Sequence, residues 1–279
     1  MTDALPGAAA TAAAPAPFDT GTERMLAAVA GGVGTMTFNN PERHNAVSME
    51  MWEAAERILA AFAADASVRV VVVTGAGGRA FVSGADISRF ESERASREAV
   101  DAYQAQTARV YDALHGFPKP TVAMVRGHCI GGGTALAVCC DLRVCDEGAS
   151  FGIPAARLGL GYPLAGIRRL VHLVGPAFAK EMFFTARRFT AAEAVAMRLV
   201  NRAVPGEALE STVAEIAGAI AGNAPLTVDS VKVIANEALK PDPDESLCDR
   251  LVRACFDSED YVEGRRAFLE KRKPVFRGR

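Results

Sequence analysis

Two apolar runs, residues 69–74 and 121–125, constrain this chain most, because neither alternates polar with apolar and each leads into glycines. A strand with one face in water alternates, whereas a strand covered on both faces is apolar throughout. The first run stops at Gly75-Ala-Gly-Gly; the second is followed by Gly127 and then by Gly131-Gly-Gly. A helical stretch ends near residue 114, and after the second glycine cluster a helix starting near Gly132 leads to a third apolar strand at 142–144. Strand, helix, strand with covered strands predicts an α/β domain.

The flanking segments fit that plan. Residues 34–38 alternate as a short strand and end in the turn signal Asn39-Asn-Pro41. Over 48–64, Met51, Ala55, Ile58, Leu59 and Phe62 share one helical face starting near Ser48, and Trp52 on this apolar helix reads as core. Residues 88–98 are looser and charged. From about Ala177 the chain is predominantly helical; Thr190-Ala-Ala-Glu193 has capping-box spacing, and Asn201 and Pro205 mark a break. The expected units are a flexible Ala/Pro-rich tail over 1–18, a core over 19–205 and a helical subdomain over 206–279. The tail has neither the basic start and apolar centre of a secretory signal nor the arginines of a transit peptide.

With 279 residues, half of them hydrophobic, the chain is long enough for one large α/β domain with a helical piece. A net charge of −2 argues against a general nucleic-acid binder, and no apolar run approaches bilayer length. No nucleic-acid or membrane partner is expected, and the cytoplasm is the expected location. The six cysteines have no zinc-ligand spacing and sit mostly in apolar stretches, so they read as small core residues, with no metal expected.

Two segments carry the chemical reading. In Phe-Val-Ser-Gly-Ala-Asp over 81–86 a strand ends and glycine allows a tight turn; over 127–134 three successive glycines lead into a helix. The first amides of a helix have no internal partner, and the helix dipole adds positive charge there. Such a pair of turns can cradle a developing oxyanion. Glycine in a strand-to-helix turn also has a purely steric explanation. No lysine followed by Ser or Thr follows the glycines, which argues against a phosphate loop.

Four motifs taken together, residues 39–46, 80–87, 127–133 and 257–272, resemble the enoyl-CoA hydratase/isomerase (crotonase) family in the right order. The resemblance spans roughly 38–279. It implies a spiral of repeated β-β-α units followed by a helical trimerisation region, working as a homotrimer or hexamer on an acyl-CoA substrate. No separate cofactor is implied, since coenzyme A is part of the substrate. By the same resemblance, the backbone amides of Ala85 and Gly132 are the oxyanion donors. Coenzyme A lies along Arg43, Asn45 and Ala46 and along Ala85, Asp86 and Ile87, and Phe268 and Lys271 match the region that completes the nucleotide site.

The chain departs from the family where proton transfer is needed. The family's hydratases use two glutamates; the first position, two after the triple glycine, is Ala135, and the second, in Phe-Gly-Ile-Pro-Ala over 151–155, is Ala155. An alanine methyl exchanges no protons, so hydration by the two-glutamate route is not expected. Residues 158–167, with Tyr162, resemble bacterial methylmalonyl-CoA decarboxylases, including a tyrosine with a catalytic role there; those enzymes have histidine where this chain has Ala85. Tyr162 is therefore either a chemical group or a wall of the acyl pocket. Asp86, His128 and Arg157 have both structural and chemical readings, and His44, His115 and His172 carry no distinguishing signal. Three functions remain open: an acyl-CoA lyase decarboxylating a malonyl-type thioester, a hydratase or isomerase with an unfamiliar acid/base, and an acyl-CoA binder without catalysis.

Overall fold

The computed structural model describes residues 18–86 and 96–279. Nearly all of the Ala/Pro-rich tail, Ile87 and most of the charged stretch 88–98 lie outside the described residues. The chain between them is built by repetition. Three successive units each contribute a strand to one sheet, a strand to a second sheet and then a helix. They are β3 (Val70–Gly75), β4 (Ala80–Val82) and α2 (Arg97–His115); β5 (Thr121–Val125), β6 (His128–Ile130) and α3 (Gly132–Cys139); and β7 (Leu142–Asp146), β8 (Ser150–Gly152) and α4 (Leu164–Thr185). With β1 (Met25–Ala30), β2 (Val33–Phe38), β9 (Phe189–Thr190) and β10 (Arg202–Val204), the sheet orders are β1-β2-β3-β5-β7-β10 and β4-β6-β8-β9. The long sheet is parallel except at its β1–β2 edge. This is the expected spiral of β-β-α turns.

Both faces of the long sheet are covered, which is why its central strands do not alternate. On one face Val71, Val73, Ala123 and Val125 join the main core with Met51, Ile58, Leu59 and Phe62 of α1 (Met49–Ala64). On the other, Val70, Val72, Val122 and Val144 pack against Leu209, Val213 and Ala217 of α6 (Leu209–Gly222). Fully burying each such aliphatic side chain contributes about 1.5–3 kcal/mol. An element beyond Pro205 thus closes the sheet, and α7 (Pro225–Glu237), α8 (Glu245–Phe256) and α9 (Glu259–Glu270) follow it.

Several local features differ from the sequence reading. β1, β6 and β8 are strands that the pattern did not reveal; β6 and β8 are three residues long, too short for a period to register. Helix begins at Leu164, well before residue 177, and bends where Gly175 takes φ 75° ahead of Pro176. Ser48 occupies the N-cap of α1 but makes no capping hydrogen bond, whereas Thr190 and Glu193 form both halves of a capping box at α5 (Ala191–Ala196). Among the described residues no helix is long and apolar enough to cross a membrane.

Candidate active site

The two glycine turns meet. A methyl built on Gly84 would lie 3.5 Å from the Gly132 nitrogen and 3.4 Å from the Ile130 carbonyl oxygen. Gly131 adopts φ 58°, a left-handed conformation that turns the chain from β6 into α3, and its N–H donates to the Gly152 carbonyl at 2.7 Å. Behind it, the buried Thr134 hydroxyl donates to the Cys129 carbonyl at 2.6 Å and contacts that of Gly152 at 3.1 Å. Gly133 has no alternative, because a Cβ there would fall 1.9 Å from the Val82 carbonyl oxygen. The helix start is pressed directly onto the end of β4.

The second turn is fixed by pairing. The Val47 N–H donates to the Gly84 carbonyl at 2.8 Å, and the Asp86 N–H donates to the Val47 carbonyl at 3.0 Å. These bonds make Val47 and Ala85 a parallel bridge in which Val47 uses the groups flanking Ala85. In a parallel ladder the N–H of the residue between those two groups points to the opposite side. Neither the Ala85 N–H nor the Gly132 N–H has an acceptor among the described residues. An N–H left without a protein partner must find water or a ligand.

Asn45 holds the segment that carries Val47. It is fully buried at φ 56°, a conformation asparagine tolerates. Its amide nitrogen donates to the Ala76 and Ala80 carbonyls at 2.9 and 2.7 Å, while its oxygen accepts the Asn40 N–H at 2.9 Å. Its side chain is therefore fully committed to backbone. Ala46 beside it is half-buried, and its carbonyl accepts from the Asn40 side chain at 2.9 Å. Arg43, 52% exposed, reaches the carboxylate of Asp86, 4% exposed, at 3.3 Å. Asp86 thus serves the turn through its N–H and Arg43 through its side chain.

The structure groups the other sequence candidates unevenly. Tyr162 is half-buried, its ring edge-on to Phe183 at 4.8 Å, and burial pushes its hydroxyl above the usual phenol value. Ala155 is buried and Ala135 half-buried, so the two substituted positions are methyl groups. His128 on β6 meets the Ser150 hydroxyl at 2.9 Å and the His44 ring at 6.2 Å; burial, then Arg188 and His44, push its pKa down. Arg157 is exposed on a 3-10 turn, Pro154–Leu158. Phe268, 84% exposed, and Lys271, at the C-cap of α9, face solvent in the single chain. Trp52 is core: its indole N–H donates to the Tyr103 hydroxyl at 2.9 Å. Among the described residues no His, Cys, Asp and Glu cluster could hold a metal.

One polar group at the turn was missed. The Tyr111 hydroxyl donates to the Gly132 carbonyl at 3.2 Å and would lie 3.1 Å from a Cβ on Gly132. Its ring stands edge-on to Trp52 at 5.4 Å. Burial, with the Tyr162 and Tyr103 hydroxyls nearby, pushes the Tyr111 hydroxyl well above the usual phenol value. The available signal was its spacing from Tyr103: eight residues are about two helical turns, which brings both rings to one side of α2.

The enoyl-CoA hydratase/isomerase family profile matches residues 28–279. A crotonyl-CoA hydratase of Syntrophomonas wolfei is 35% identical over 246 residues, 88% of this chain and 94% of the relative. A short-chain-enoyl-CoA hydratase of Clostridium acetobutylicum is 35% identical, covering 87% of this chain and 93% of the relative. A crystal structure of an enoyl-CoA hydratase/carnithine racemase from Magnetospirillum magneticum superposes with a TM-score of 0.88 at 36% identity, over 92% of this chain and 97% of that one. With its glycine turns on a spiral core of this kind, the chain belongs to the enoyl-CoA hydratase/isomerase family.

Proposed function

We propose that this protein is an acyl-CoA lyase that seats a thioester carbonyl oxygen between the Ala85 and Gly132 N–H groups and decarboxylates a malonyl-type acyl group. The carrying observation is that neither N–H group has an acceptor among the described residues, on turns that touch, while the family's two proton-transferring positions are Ala135 and Ala155. The bond between the α-carbon and the carboxylate breaks, its electron pair passes into the thioester as an enolate, and carbon dioxide departs. No base is needed for that step. The enolate oxygen takes the charge, and losing one such donor typically costs about 3 kcal/mol of transition-state stabilisation. Ala135 and Ala155 supply apolar surface against a departing carboxylate, and Tyr162 orients it.

In this reading Arg43 offers an exposed cation to the phosphates of coenzyme A, and Asn45 acts through the backbone it holds. Ala46, Ala85, Asp86 and Ile87 line the pantetheine path. Phe268 and Lys271 complete the nucleotide end in the assembled protein. The assembly is a homotrimer or a pair of trimers, consistent with the exposed Phe256, Val262, Phe268 and Leu269 on α8 and α9.

A second reading, hydration or isomerisation of an enoyl-CoA with a different proton carrier, is favoured by the hydratase relatives. Incubating the purified protein with methylmalonyl-CoA and, separately, with crotonyl-CoA, and following products by mass spectrometry, decides between them. Loss of carbon dioxide from the first with the second unchanged is the expected result. Hydration of crotonyl-CoA at an enzymatic rate overturns it, and tight binding with neither product indicates a binder.

A further inference from the structure

An enolate must be protonated before its thioester can leave, and the usual carboxylic acids are missing. The α-carbon is bonded to the thioester carbon, so its proton donor must stand within a few ångströms of the oxyanion donors. Geometry restricts the choice. His128 meets the Ser150 hydroxyl at 2.9 Å with the His44 ring 6.2 Å away, and Asp86 reaches Arg43 at 3.3 Å. The Cys139 thiol contacts the Ala135 carbonyl at 3.2 Å, and burial pushes its pKa up to about 12. Tyr162 packs on Phe183 and against Gly166 of α4. Tyr111 alone among these is hydrogen-bonded to Gly132 itself.

We propose that Tyr111 is the catalytic residue that delivers the proton to the α-carbon, its hydroxyl being held beside the Gly132 oxyanion donor. The inference rests on the enolate reading above. The Tyr111 hydroxyl turns from the Gly132 carbonyl to which it donates, its O–H bond breaks, a C–H bond forms at the α-carbon with the enolate electron pair, and the phenolate left behind regains a proton from water. The enolate carbon is far more basic than a phenolate, so the transfer runs downhill. The cation of Arg169 favours the transient phenolate, and Asp112 holds Arg169 in place. Tyr111 is a hydroxyl at neutral pH and so carries the proton that the enolate needs.

The test compares the full-length wild-type protein with Tyr111→Phe in heavy water, using methylmalonyl-CoA. The rate of carbon dioxide release and the handedness of deuterium at the α-carbon of the propionyl-CoA product are both read. Wild type should place deuterium on one face; Tyr111→Phe should turn over roughly 100-fold more slowly and give label on both faces. A merely positioning hydroxyl would slow turnover without scrambling the label. Single-handed label from the variant therefore overturns the proposal. Should wild type release no carbon dioxide, the decarboxylase reading fails, and wash-out of the α-hydrogens of propionyl-CoA into heavy water becomes the deciding measurement. Wash-out that Tyr111→Phe abolishes sustains Tyr111 as the proton carrier; absent wash-out, or wash-out the variant keeps, removes it.

Discussion

The glycine turns and the C-terminal tail are both held in irregular conformations, by opposite means. At the turns, buried backbone groups and the amide of Asn45 fasten the chain, and the Ala85 and Gly132 N–H groups have no acceptor among the described residues. At the tail, carboxylates of α9 do the holding: Asp260 accepts the N–H groups of Arg277 and Gly278 at 2.7 Å each, and Glu263 accepts the Val275 N–H at 2.9 Å and pairs with Arg272 at 2.6 Å. The first is set mainly by shape and neutral hydrogen bonds, with one ion pair, Arg43 and Asp86, at its edge, and depends little on salt and pH. The second is set by charge near solvent and is sensitive to both.

The sharpest test of the shape-built side is Gly133→Ala. Its methyl meets a backbone oxygen at 1.9 Å, so α3 must move off β4. We expect a loss of about 3 kcal/mol or more in urea unfolding, with turnover abolished because the Gly132 N–H leaves its place. A variant with wild-type stability and activity would mean that the turn is not clamped as described. Asn45→Ala should follow, costing about 2–4 kcal/mol, because the Ala76 and Ala80 carbonyls lose their donor and a non-glycine residue remains at φ 56°. Its stability deficit should be the same at low and high salt, which a charge-built site would not show.

The same division explains what the sequence disclosed. Both backbone donors lie in local motifs, where glycine after an apolar strand has a direct conformational meaning, and the covered sheet was legible from residues 69–74 alone. Asn45 stood in a recognisable motif, but its partners lie 31 and 35 residues away and nothing local points to them. Tyr111 was overlooked for a related reason: its spacing from Tyr103 marks a side of α2, but α2 crosses to α3 only in the folded chain, and the Tyr111 and Gly132 contact spans 21 residues. Asp260 and Glu263 stood in the fourth motif, but only the returning chain gives them their N–H partners.

The smallest expected effect lies on the charge-built side, in Glu263→Gln. Arg272 and the Val275 N–H lower the Glu263 carboxyl from the usual glutamate range to about 2. A folded-state pKa below the unfolded one means that the contribution is complete above the unfolded value and disappears as pH falls through the folded one. Wild type should therefore be more stable than Glu263→Gln by a constant margin at neutral pH. That margin should shrink as pH falls through the ordinary glutamate range toward about 2. Salt should narrow it as well, since Arg272 and Glu263 are within reach of solvent. Urea midpoints measured for both proteins across this range, at two ionic strengths, give the margin directly. A margin that stayed flat to pH 2 would show that the glutamine replaces the carboxylate's hydrogen bonds without loss, leaving the tail fastened by shape as the glycine turns are.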